Sequence, residues 1–177
     1  MSYILIKMSK EKAIGKKIEV IKKAKELCKK EETYLKLCED NNESKDFIDG
    51  VTISFEDDLE TTAKTTNGEI SISSKLINAD AKKIVRYLIH ELVHVFQHIK
   101  NEGKKQRKYK EYMDNPAEQE AFGVQLEYQE DREGNVEEYL KHLMDHHKVP
   151  EKEREELLKK LTKNVDDPEI IDEVLND

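Results

Sequence analysis

The chain has 177 residues, 36% apolar and 40% charged, which fits one compact domain with a modest core and a heavily solvated surface. Its net charge of −8 removes nonspecific nucleic-acid or anionic-membrane binding as a default role, and no stretch approaches the ~18 apolar residues needed to span a bilayer. Cys28 and Cys38, with no disulfide framework around them and no secretory signal at the N-terminus, predict a reduced, cytoplasmic setting.

Taken in chain order, residues 10–40 are rich in Lys and Glu, with Ile14, Ile18, Ile21, Ala24 and Cys28 on one stripe. This pattern predicts a long amphipathic helix, broken by Asn41-Asn42. Val51, Ile53 and Phe55 alternate with Thr52, Ser54 and Glu56 as a strand. A second strand near residues 61–66 turns through Asn67-Gly68 into Glu69–Ser73, a two-residue hairpin signal. Together these predict a small antiparallel sheet within an α+β, mainly helical fold.

A helix is then expected from about Ala81 to Ile99. Asn78 is placed to cap it, Asp80 favours its first turn, and Asn101 and Gly103 act as stop signals. Ala81, Ile84, Val85, Leu88, Leu92, Val95, Phe96 and Ile99 form an apolar stripe roughly opposite His90 and His94. The run His90-Glu91-Leu92-Val93-His94 carries the chemistry. Imidazoles four positions apart lie on one helix face and can reach one cation, while Glu91 at the edge of that face can take a proton from water without binding the metal. The bland alternative is a pair of solvated histidines. His98 continues the row but stands about 12 Å along the axis from His90, too far to share an ion, and reads as a rim residue.

Lys100, Lys104, Lys105, Arg107, Lys108 and Lys110 form a basic run, either a solvated loop or a docking patch for an acidic peptide or DNA. Asn115-Pro116 then starts a second helix. A catalytic zinc needs a third protein ligand, and Glu118 and Glu120 compete for that role. Projection places Glu118 within the apolar face of Ala117, Ala121, Phe122, Val124, Leu126 and Tyr128, where a carboxylate needs a partner, whereas Glu120 falls outside it. Asn115 and Glu118 also fit a capping box.

Farther on, Asn135 with Glu138 predicts a helix reaching His147, Pro150 opens another through Leu161, and Asp167-Pro168 begins a short acidic one. His142 and His146, with Asp145 between them, have ligand spacing for a second metal. They equally suit a helix C-terminus, whose dipole favours positive charge. One of His142, His146 and His147, or a tyrosine such as Tyr112 or Tyr139, is a candidate to hydrogen-bond an oxyanion. The terminal Ile170, Ile171, Val174 and Leu175 need a surface to cover, either the core or a substrate cleft that they would keep closed.

His90-Glu91-x-x-His94 followed on a separate helix by Glu118-x-x-Ala121 resembles the gluzincin metallopeptidases, especially the minigluzincins. The segment Asn67–Ile72 is similar to the rim strand of many zincins, including SprT-like and ImmA/IrrE-like groups. The resemblance covers about residues 51–130. It implies that Glu118 is the third zinc ligand and Glu91 the general base. Many gluzincins carry Asp or Asn four residues after the ligand Glu, where this chain has Phe122.

The expectation is a single zincin-like domain over residues 1–177, with a catalytic unit at 51–130 and C-terminal helices at 135–177. Zn²⁺ is held by His90, His94 and Glu118, and Glu91 acts as base in hydrolysis of extended polypeptide segments lying along the sheet edge near Glu69–Ser73. No membrane or nucleic-acid partner is expected. A noncatalytic regulatory protein with structural or sensory zinc is the alternative, against which the intact Glu91 argues.

Overall fold

The computed structural model describes residues 2–104, 109–133, 136–163, 165 and 170–176. The architecture is α+β and mainly helical, with one three-stranded sheet. The chain gathers into two compact units, one ending at Phe96 and the other beginning at Gln97.

In the first unit, α1 (Ser2–Cys28) and α2 (Glu32–Asp40) replace the single helix expected over 10–40. No Gly, Pro or Asn marks the break, because tertiary contacts make it. Tyr34 is fully buried; its hydroxyl donates to the Lys45 carbonyl and accepts from the Ile48 amide, both at 3.1 Å. The end of α1 is tied down by Lys25, whose ammonium donates to the Val51 carbonyl at 2.8 Å, and by Lys29, paired with Asp49 at 2.6 Å. Ala24 and Cys28 are buried as their stripe requires, but Ile14 and Ile18 are exposed. Asn41 and Asn42 end α2 as expected, with Asn42 at φ 57°. A short α3 (Phe47–Gly50) follows, and Phe47 stacks on Phe96 with ring centroids 4.4 Å apart.

The strands are β1 (Ile53–Glu56), β2 (Ala63–Thr66) and β3 (Glu69–Ser73), in the order β1-β3-β2. Asn67 (φ 52°) and Gly68 (φ 81°) both take the left-handed conformation of a type I′ turn, so β2 and β3 form the expected hairpin. The sheet is nevertheless mixed rather than antiparallel. β1 pairs parallel to β3 because the link from β1 carries β2 to the far side of β3, and alternation in a sequence does not encode strand order. Cross-strand partners share a face, so Ile53, Phe55, Ala63 and Thr65 stand with the buried Ile70 and Ile72.

Helix α4 (Ala81–Lys100) is capped by Asp80, not Asn78. The Asp80 carboxylate accepts from the Lys82 amide at 2.9 Å, whereas the Asn78 side chain accepts from the Lys16 ammonium. It ends through Glu102 (φ 51°) and Gly103 (φ 70°), whose amide donates back to the His98 carbonyl at 2.9 Å. The expected stripe is buried from Ile84 through Val85, Leu88, Leu92 and Val95 to Phe96, whereas Ala81 is half-buried and Ile99 exposed; residues 88–93 are buried on every side, Ile89 and Val93 included, so the helix is not two-faced there.

The second unit contains a 3₁₀ turn (Tyr112–Asp114), α5 (Pro116–Glu133), α6 (Val136–His146), α7 (Glu151–Leu161) and α8 (Ile170–Asn176). Pro116 opens α5 and the Asn115 side chain caps it, accepting from the Ala117 amide at 3.1 Å. Its core joins Phe122 and Leu126 to Leu140, Met144, Leu157, Leu158 and Leu161, closed by Ile170 and Val174. The terminal helix therefore covers this core, which is the ordinary of the two fates open to it. Asn135, Asp167 and Pro168 lie outside the described residues. Among the described residues, no helix is long and apolar enough to cross a membrane.

Candidate metal centre

One turn of α4 sets the first two donors. His90 and His94 lie on the same helix face with ring centroids 5.0 Å apart; His90 is buried and His94 half-buried. Glu91, between them in sequence, is 6% exposed, and a carboxylate so buried needs a hydrogen-bond partner. Thr65 supplies one. Its hydroxyl lies 2.8 Å from Glu91 Oε2 and 3.1 Å from the Glu91 carbonyl, so one proton is shared between side chain and main chain. Because Thr65 belongs to β2, the hairpin fixes the orientation of the Glu91 carboxylate.

Glu118 sits in the first turn of α5, half-buried. The capping-box alternative is formed on one side: Asn115 caps the helix, but its own amide donates to the Tyr112 carbonyl at 3.2 Å. The Tyr112 hydroxyl donates instead to Glu118 Oε2. Glu120 is exposed and engaged elsewhere, accepting from the Gln97 amide group at 2.8 Å, which also reaches the Ala117 carbonyl at 3.0 Å.

One ligand atom from each of His90, His94 and Glu118 lies within 4.8 Å of the other two, and this group is able to hold a metal ion. Two imidazoles and one carboxylate are the nitrogen and oxygen donors that borderline divalent metals accept, and three protein ligands leave a coordination position open. Among the described residues this is the one such group of three.

The other candidates fall elsewhere. His98 stands at the end of α4, its ring 3.4 Å from where a side chain on Gly103 would begin. His142 and His146 are exposed, with rings stacked 5.9 Å apart, and Asp145 accepts from Arg154 at 2.9 Å. Tyr139 accepts from Gln125 at 2.8 Å against the core of the second unit. Phe122 is 8% exposed and packs in that same core, so its position serves burial. Of the basic run, Lys100, Lys104 and Lys110 are exposed and Lys104 pairs with Glu102 at 3.1 Å, while Lys105, Arg107 and Lys108 lie outside the described residues.

Sequence reasoning missed Thr65 and Gln97. A threonine in a short strand carries no signal of its own, and Gln97 follows the second histidine without belonging to any motif. No protein-family model matches the chain, and no curated protein or solved structure matches it either.

Proposed function

We propose that the protein is a zinc-dependent metalloendopeptidase of zincin type, in which His90, His94 and Glu118 hold the ion and Glu91 is the general base. The observation that carries this reading is the meeting of the three donors, two of them from the helix turn that also bears a buried carboxylate oriented by Thr65. When bound, zinc supplies Lewis acidity toward water and toward the scissile carbonyl. Glu91 takes the proton of the attacking water and delivers it to the leaving amine, a role that suits a carboxylate held near the donors without being one of them. A purely structural centre has no use for such a base.

The substrate edge differs from the one expected. β3 is paired on both sides, so Glu69–Ser73 offers no open main chain. Among the described residues, β1 and β2 are the edge strands. β2 carries Thr65 against Glu91, so an extended polypeptide adding to β2 by main-chain hydrogen bonds would run beside the base.

The test is turnover of a quenched, unfolded protein substrate together with zinc content. Glu91→Gln is expected to keep its zinc and lose at least about 10²-fold in rate, the scale of a missing general base. His94→Ala and Glu118→Ala are expected to lose zinc and activity together. A Glu91→Gln protein with full turnover, or a wild-type protein that takes up no zinc, would sink the proposal.

A further inference from the structure

Glu118 accepts a hydrogen bond from a phenol. Tyr112, in the 3₁₀ turn just before α5, donates its hydroxyl proton to Glu118 Oε2. Its ring is fixed on both sides: it lies nearly parallel to the His147 ring, 4.8 Å away with 11° between planes, and meets the buried Phe122 edge-on at 6.3 Å. His147 is set by the turn that closes α6, its amide donating to the Leu143 carbonyl at 3.1 Å. Tyr112 is nevertheless 49% accessible, so the ring is held by these two aromatic contacts and not by burial.

We infer that Tyr112 is a positioning residue for the metal centre, holding the Glu118 carboxylate in the orientation in which it ligates. This rests on the metal reading proposed above. The chemistry is consistent. An ionised carboxylate has about four lone-pair sites, so an oxygen that accepts from a phenol keeps capacity for a cation. A Glu side chain otherwise loses the freedom of three torsions when it binds metal, and a partner that fixes it beforehand removes much of that entropic cost. A hydrogen bond to an ionised acceptor is stronger than a neutral one, so the phenol is suited to the task even at a solvent-facing position. The aromatic contacts with His147 and Phe122 hold the ring, and the ring directs the proton.

Tyr139, in the same unit, has a different role, since its oxygen accepts from Gln125 and its ring packs on the core. Zinc affinity is measured by chelator competition on the full chain, with the visible spectrum of the Co²⁺-loaded protein as a report on ligand geometry. Tyr112→Phe keeps the stacked ring and removes the donor. It is expected to weaken Zn²⁺ binding by about 10- to 100-fold, the usual effect of losing a hydrogen-bond partner behind a ligand, and to change the Co²⁺ bands, with the thermal midpoint of the metal-free protein unmoved. Tyr139→Phe is expected to lower that midpoint and leave zinc affinity and the Co²⁺ spectrum as in wild type. Tyr112→Phe with wild-type affinity and spectrum overturns the inference while leaving the metal reading intact. Equal loss of affinity in both variants overturns it too, because the effect would then be one of general stability. A wild-type chain that binds neither ion overturns the metal reading and the inference with it.

Discussion

Thr65 and Glu91 belong to different elements, yet the 2.8 Å contact between them decides where the proposed base points. Valine at position 65 keeps the β-branched shape that a strand favours and removes the donor. Since a hydrogen bond to a charged group contributes about 1.5–3 kcal/mol, Thr65→Val is expected to lower kcat by roughly 10- to 100-fold with zinc content unchanged and little effect on KM. Steady-state kinetics with metal analysis checks this, and an unaltered kcat would mean that Glu91 is oriented by something else. His90, Glu91 and His94 were legible as a group because their geometry is local: a four-residue step on one helix is enough to align two rings. Glu118 was legible as a carboxylate on an apolar face, with Glu120 and a cap as competitors that the hydrogen bonds of Asn115 and Gln97 now account for elsewhere. Thr65 and Tyr112 were not legible as partners of these carboxylates, since a hydroxyl's partner depends on which segments fold against it.

At the level of elements, Tyr34 has the largest consequence for the break between α1 and α2. Its hydroxyl satisfies a carbonyl and an amide in the 45–48 segment, and burial holds the phenol well above its ordinary pKa, so it remains a neutral donor. Tyr34→Phe leaves both main-chain groups without that partner and is expected to cost about 1–3 kcal/mol in denaturant titration, with zinc binding unchanged. Unchanged stability would show that the break is held by Lys25 and Lys29 alone. The same element marks where the sequence ceased to be readable. Periodicity carried through Lys29-Lys30-Glu31 without interruption, and the cue for the break lay in residues more than ten positions away. The hairpin, by contrast, was written in Asn67-Gly68, whose positive φ angles local chemistry alone can specify. α7 was equally clear, opening after Pro150 and ending at Leu161 as its pattern required. The parallel pairing of β1 with β3 was not, because it follows from topology.

For the molecule as a whole, the terminal helix covers the core of the second unit. α8 packs on α6 and α7, with Ile170 and Val174 nearly inaccessible. Ending the chain at Val165 uncovers that surface, and loss of two such side chains is expected to lower stability by on the order of 3 kcal/mol. Peptidase activity per folded molecule should stay the same in a thermal-melt and turnover comparison. A rise in specific activity on truncation would instead restore the idea of a tail that holds the enzyme closed. The edge strand β2 has a different whole-molecule consequence. A main-chain edge that welcomes an extended peptide equally welcomes the edge of another copy, and such pairing can propagate into aggregates. β2 is four residues long and carries the exposed Lys64, so two copies meeting edge to edge would gain few hydrogen bonds and bring like charges together. If β2 holds substrate as proposed, a flexible chain without a lysine at the facing position would escape the charge repulsion that a second copy of this strand meets.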